Sequence, residues 1–119
     1  MKTAEQQLVD FLNGQKRNLW LQDSEIEIYV RKSKRYLGHP PEMIDVLDIA
    51  TISVVEEEQN KGRFTRFLLF VQEVYLGNLF IENVQTQKFA NFFRRLGWQE
   101  WIPAGGDPDL PCFYLLKKE

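Results

Sequence analysis

The sequence predicts an α/β (α+β) fold, with helices covering a mixed β-sheet, and three observations lead there. Met43 to Val55 is rich in Ile and Val and mostly apolar on both faces, as suits a strand in the middle of a sheet. Glu25 to Arg31 alternates strictly, with Ile26, Ile28 and Val30 on one side, which marks a half-covered strand. Two later stretches space their apolar residues as helices do, first Phe64, Phe67, Leu68, Val71 and Tyr75, then Phe89, Phe92, Phe93 and Leu96. An extended segment follows each.

In chain order, Thr3 to Asn13 sets Leu8, Phe11 and Leu12 on one helical face, with Thr3 as N-cap and Gly14 where a left-handed residue is wanted. A polar link leads to the alternating strand, which Lys32 to Leu37 either prolongs or follows with a second one. Gly38-His39-Pro40-Pro41 then breaks any ladder, because proline has no N–H to donate. After the Ile/Val strand come the polar Glu56 to Gly62 and the Phe64 helix, closing near Gly77. Asn78 to Val84 is a short strand, Thr86 to Leu96 a second helix closed by Gly97, and Trp98 to Ile102 extended. A Pro/Gly loop precedes the last strand, Pro111 to Leu116. With no repeat or internal linker, residues 1–119 read as one domain.

Composition narrows the function. A chain of 119 residues with 44% hydrophobic content supports one core, and a net charge of −2 gives no general attraction to nucleic acid or anionic membrane. Neither is expected as a partner. Apolar runs stay far below the ~20 residues of a bilayer span, and the N-terminus lacks a signal-peptide stretch, so a cytoplasmic location is expected. One cysteine, Cys112, and one histidine, His39, assemble no disulfide and no zinc site, and no metal is expected. Cys112 sits among apolar neighbours, which favours packing over reactivity. The basic run Lys32 to Arg35 reads as a solvated strand edge.

The informative junction is Val54 to Thr65, where the Ile/Val strand meets a helix through a polar, glycine-containing loop. The first N–H groups of a helix have no internal partner and their dipoles favour negative charge, so a phosphate satisfies several at once. Gly62 would admit a ligand close to the backbone, and Lys61 and Arg63 would add positive charge. By local composition alone, Lys61-Gly62-Arg63 reads equally as a solvated turn. The nucleoside-triphosphate and dinucleotide glycine loops have no counterpart in the chain.

Gln59-Asn60-Lys61-Gly62-Arg63-Phe64 resembles the acetyl-coenzyme A loop of the GNAT superfamily, Gln/Arg-x-x-Gly-x-Gly/Ala, matching at Gln59 and Gly62 but not at Phe64. Downstream, Leu79 to Val84 and the helix ending Phe92-Phe93-Arg94-Arg95-Leu96-Gly97-Trp98 resemble that family's next strand and its helix closing in Phe-Tyr-x-x-x-Gly-Phe. The likeness covers about Met43 to Ile102. It implies a mostly antiparallel sheet whose central strands, Met43 to Val55 and Leu79 to Val84, splay apart to admit a pantetheine arm. Val54 and Glu56 would offer backbone groups to that arm, and the N–H groups from Asn60 through Lys61, Gly62, Arg63 and Phe64 to Thr65 would hold the diphosphate, with Gln59 in the same loop.

The resemblance further implies N-acetyl transfer from acetyl-coenzyme A to an amine, on a small molecule or a protein, by direct attack. Where the family often has a proton-donating tyrosine, this chain has Phe93, which has no proton to give but still falls on the cofactor side of the motif. Asn83 stands in as a contact to the pantetheine or thioester, and also reads as a helix cap. Asp48 and Glu56 are the candidate bases, Asp48 if it points into an apolar cleft. Phe89, Phe92 and Phe93 read first as a buried helical face. The region before the first strand is short for the family, which leaves the acceptor side open to a large substrate or to a second subunit, with a homodimer as one assembly. A relative that holds coenzyme A or a partner protein without turnover, and an unrelated interaction module, remain alternatives.

Overall fold

The first helix, α1 (Ala4–Asn13), begins where the sequence supplies a cap. Thr3 Oγ1 accepts from Gln6 N–H at 3.1 Å, and Gln6 Oε1 accepts from Thr3 N–H at 2.9 Å, a reciprocal pairing that stabilises a helix start by ~1 kcal/mol. Gly14 closes the helix in an extended conformation, φ −103°, not the left-handed one expected, and its N–H bonds Phe11 C=O. The computed structural model describes every residue except Met1, His39, Asn60, Asn83, Gln85, Thr86, Pro103, Ala104, Lys118 and Glu119.

The strands are β1 (Asn18–Gln22), β2 (Ile26–Tyr36), β3 (Met43–Val54), β4 (Asn78–Ile81), β5 (Gln99–Trp101) and β6 (Cys112–Leu115). They form one sheet in the order β1-β2-β3-β4-β6-β5, in which β3 and β4 are the parallel pair and every other neighbour is antiparallel. The mixed, mostly antiparallel sheet is as expected. Two details differ. The polar link contains a strand, β1, whose apolar Leu19-Trp20-Leu21 is too short a run to stand out, and Lys32 to Tyr36 continues β2 without a break.

After β3 a 3-10 turn (Glu56–Glu58) leads to α2 (Arg63–Val74), and α3 (Gln87–Arg95) follows β4. Leu8 and Phe11 of α1, Phe67 and Val71 of α2, and Ala90 and Phe93 of α3 all join one core with Leu47 and Ile49 of β3. All three helices therefore lie on one face of the sheet. On the other face Val46 and Phe80 form a smaller cluster with Leu37 and Cys112, the cysteine buried as its apolar setting implied. A parallel strand pair is ordinarily covered on both faces. Here side chains cover the second one: the Arg35 guanidinium lies 3.9 Å from the Phe80 ring centroid and Trp101 packs edge-on against that ring at 5.7 Å. Phe80 is fully buried as a result.

The ladder between β2 and β3 pairs Tyr29 with Thr51 but Val30 with Ile49, so Ala50 is an extra residue, a β-bulge. Ile49 is also the last residue of β3 that pairs with β4, opposite Ile81. Past that point the strands part: Glu82 N–H still reaches Ile49 C=O at 3.2 Å, but Val84 N–H turns to Pro111 C=O at 2.8 Å. A bulge bends its strand and raises the local twist, and this one sits where β3 leaves β4.

The free edge of β1 is guarded by α1. Gln7 Oε1 accepts from Gln22 N–H at 2.9 Å and Gln7 Nε2 donates to Gln22 C=O at 2.7 Å, so one carboxamide stands in for a neighbouring strand. Gln7→Ala should cost about 1–2 kcal/mol in urea unfolding, with Gln7→Glu, which keeps the acceptor, falling between the two.

Candidate functional site

The parting of β3 from β4 leaves the last turns of β3 with one open edge. Val55 N–H bonds Glu25 C=O on the β2 side at 2.9 Å, so by the alternation of an extended chain the peptide groups of Val54 and Ile52 face the other way, into the gap. A cleft of about 540 Å³ lies there, bounded by Ile52 and Val54, the loop after β3, the start of α2 and one face of α3. Its entrance is the junction singled out in the sequence.

Gly62 adopts φ 77°, ψ 17°, a left-handed conformation that other residues enter at a cost of roughly 1–2 kcal/mol. It turns the chain sharply into α2, whose N-terminus receives no side-chain cap. Arg66 is the first residue of the helix whose N–H bonds back, to Gly62 C=O at 2.9 Å. The N–H groups of Arg63, Phe64 and Thr65 find no acceptor among the described residues, and Gly62, Phe64 and Thr65 line the cleft. Unsatisfied donors at the positive end of a helix dipole therefore open onto the same cavity as the free edge of β3.

The side chains expected to help are divided differently from the sequence reading. Gln59 lines the cleft and donates from Nε2 to Val54 C=O at 2.9 Å, so it braces the loop and takes the Val54 carbonyl for itself. Arg63, expected beside a phosphate, is 3% exposed and points into the protein. Its guanidinium meets Glu5 at 2.7 and 2.8 Å and Asp23 at 3.0 Å, with Nε 2.8 Å from Glu25. The first residue of a helix projects along a direction set by helical rotation, and here that direction is inward. Lys61 is exposed and stands off the described cleft wall. Asn60 and Asn83 lie outside the described residues.

Neither expected base faces the cleft. Glu56 begins the 3-10 turn, exposed to solvent, and Glu58 is the carboxylate of that turn which borders the cavity. Asp48 is 1% exposed, but on the opposite face of the sheet, because it alternates with the core-facing Leu47 and Ile49. It accepts from Ser33 Oγ at 2.8 Å, from Arg35 at 3.0 and 3.1 Å and from Arg31 at 3.3 Å, and both arginines also bind Glu82. With both oxygens engaged, Asp48 organises a buried ion cluster and has no oxygen left for a substrate amine. Phe93 is likewise withdrawn: it is 1% exposed, stacked on Phe113 at 5.3 Å and packed against Phe64 and Trp98.

What the sequence reading missed on the cleft wall comes from α3. Lys88, Phe89, Phe92 and Arg95 border the cavity, while the buried face of that helix is carried by Ala90 and Phe93. The signal was present in the spacing, since positions 88, 92 and 95 share one helical face. Reading all the phenylalanines as core concealed it: Phe89 is 40% exposed.

No protein-family model and no curated protein sequence matches the chain, so its likeness to known proteins is one of three-dimensional form. A tyrosine-to-phenylalanine mutant of the AtaT toxin, bound to the C-terminus of the antitoxin AtaR and acetyl-CoA, superposes with a TM-score of 0.54 at 13% identity. The match covers 77% of this chain and 58% of AtaT, so the present chain spans little more than half the length of that toxin. The KacTA–DNA complex matches with a TM-score of 0.53 at 15% identity, over 97% of this chain and 82% of the other. At these identities the two likenesses are of fold alone.

The fold is GNAT-like. Within that GNAT-like frame the parted β3/β4 pair and the open start of α2 take the places expected from the sequence resemblance. The expectation that nucleic acid is not a partner gains no support, since one neighbour is a complex with DNA.

Asp48→Ala should lower stability by about 3 kcal/mol, the lower end for a broken buried ion pair because the partly exposed Arg31 and Arg35 keep Glu82. An unchanged urea midpoint would remove the cluster's structural role. Asp23 gives a pH signature. Burial raises its carboxyl, but N–H donors from Ala4, Glu25 and Ile26 together with Arg63 outweigh that and hold it below the ordinary carboxylate value. The stabilisation is present above the unfolded value of ~3.9 and is lost as pH falls through the lower folded one. Asp23→Asn should therefore be less stable than wild type at pH 7, with the gap closing in acid.

Proposed function

We propose that this chain binds acetyl-coenzyme A in the cleft between β3, α2 and α3 and transfers the acetyl group to an amine. One observation carries the reading: two sets of backbone groups without a backbone partner among the described residues, the β3 edge at Ile52 and the Val54 N–H, whose carbonyl Gln59 takes, and the N–H groups of Arg63 to Thr65, open in series onto a single cavity. An extended arm bearing amides, followed by a diphosphate, satisfies both in that order. Support comes from the GNAT-like fold and from AtaT, a neighbour seen with acetyl-CoA and with an antitoxin segment, which favours a protein partner here as well.

When bound, acetyl-coenzyme A would supply an activated acetyl thioester. The chain's part is to hold the arm against β3 and neutralise the diphosphate at α2. An attacking amine must lose a proton and the departing thiolate must gain one. Among the described residues no side chain is placed to make either transfer. Asp48 faces away, Glu56 is in solvent, Phe93 is core, and Glu58 stands at the loop end of the cleft near the diphosphate position. Water would then relay both protons. The same observation favours a second reading, a protein that holds coenzyme A without turnover.

Titration calorimetry with acetyl-coenzyme A tests the binding, and release of free thiol with a panel of amines separates turnover from storage. Gly62→Trp should abolish binding by closing the entrance, at a folding cost of about 1–2 kcal/mol for a side chain at positive φ. Gly62→Asn, which tolerates that conformation better, controls for strain. Undiminished affinity in Gly62→Trp would take this loop out of the site.

A further inference from the structure

Coenzyme A carries a third phosphoryl group, on the 3′ oxygen of its ribose, and the N–H groups at the start of α2 account only for the diphosphate. The inference here rests on the proposed binding of that molecule. Two cations expected to supply counter-charge do not: Arg63 is enclosed by Glu5, Asp23 and Glu25, and Lys61 stands off the described wall. Arg63 itself borders the cleft, but with its guanidinium held by those carboxylates; the other cationic residues on the wall are Lys88 and Arg95, both on α3. They are seven residues apart, two helical turns or about 10 Å along one face, with the cleft-lining Phe92 between them.

The neighbouring arginine shows that this placement is selective. Arg94 is engaged by Glu100, at 2.8 and 3.0 Å, and by Asn91 at 3.0 Å, whereas Arg95 forms no ion pair with any described residue and is exposed at the cavity. The loop after β3 contributes a carboxylate to the wall, Glu58, so α3 is the side of the cleft that carries exposed positive charge.

We propose that α3 reads the 3′-phosphate of coenzyme A, with Arg95 as its principal ligand and Lys88 as a second positive charge on the same face. A planar guanidinium donates two parallel hydrogen bonds to a phosphate, which makes Arg95 the selective element. The half-exposed ring of Phe89 offers the adjoining nucleobase an apolar surface.

The test compares coenzyme A with 3′-dephospho-coenzyme A by calorimetry on the wild-type chain and on Arg95→Gln, Arg95→Lys and Lys88→Gln/Arg95→Gln. Wild type should prefer coenzyme A by about tenfold or more, the scale of a charge-assisted contact. The preference should shrink to near unity in the double variant, recover in part in Arg95→Lys, and leave the affinity for the dephospho compound unchanged. Equal binding of the two compounds by wild type, or a preference that survives the double substitution, overturns the assignment and leaves the coenzyme A site itself standing. Failure of wild type to bind either compound overturns the proposed function, and this inference with it. Arg95 is on the helix surface, so its variants should melt with the wild type, which distinguishes ligand recognition from loss of fold.

Discussion

One extra residue in one strand sets the geometry of the site. Ala50 has no partner in the β2/β3 ladder, and it falls directly after Ile49, where β3 makes its last pairing with β4. A bulge at this position bends β3 out of line with its parallel neighbour, and β4 leaves in the other direction when Val84 bonds to Pro111. The peptide groups of Ile52 and the Val54 N–H then face the gap in the middle of a sheet, where a continuous ladder would have consumed them, while Gln59 takes the Val54 carbonyl. Buried backbone groups are rarely left unpaired, so a gap of this kind calls for a ligand or water.

The second constraint is charge, and most of it is spent inside the protein. Arg63 draws α1, the β1–β2 turn and the start of α2 together through Glu5, Asp23 and Glu25. On the opposite face Arg31 and Arg35 share Asp48 and Glu82, and Arg35 also roofs Phe80. Both clusters join segments far apart in sequence, so they specify which elements meet as well as how firmly they hold. The first also fixes the direction in which the N-terminus of α2 points. That helix start presents its N–H groups toward the cleft while its own arginine is turned inward to position it.

The face that carries Asp48 has no helix over it among the described residues. Its parallel strand pair is shielded by arginines and aromatics, which snorkel from apolar stems to water and so protect a core without a covering layer.

Residue pattern located α1, β2, α2 and α3 through their own repeats and β3, β4, β5 and β6 through apolar composition between Gly, Pro and polar breaks, and it marked the strand–loop–helix junction by its polar, Gly62-containing loop. It missed β1, which is held by its neighbours and by Gln7 more than by its own pattern. The roles of individual side chains were beyond its reach. Whether Asp48 faces cleft or salt bridge, whether Arg63 points to ligand or to Glu5, and whether Phe92 or Phe93 borders the cavity all depend on strand alternation, helix rotation and partners up to fifty-eight residues distant. Local sequence determines which backbone groups are left without partners; only the packed chain decides which side chains are brought beside them, because that depends on contacts no local pattern encodes.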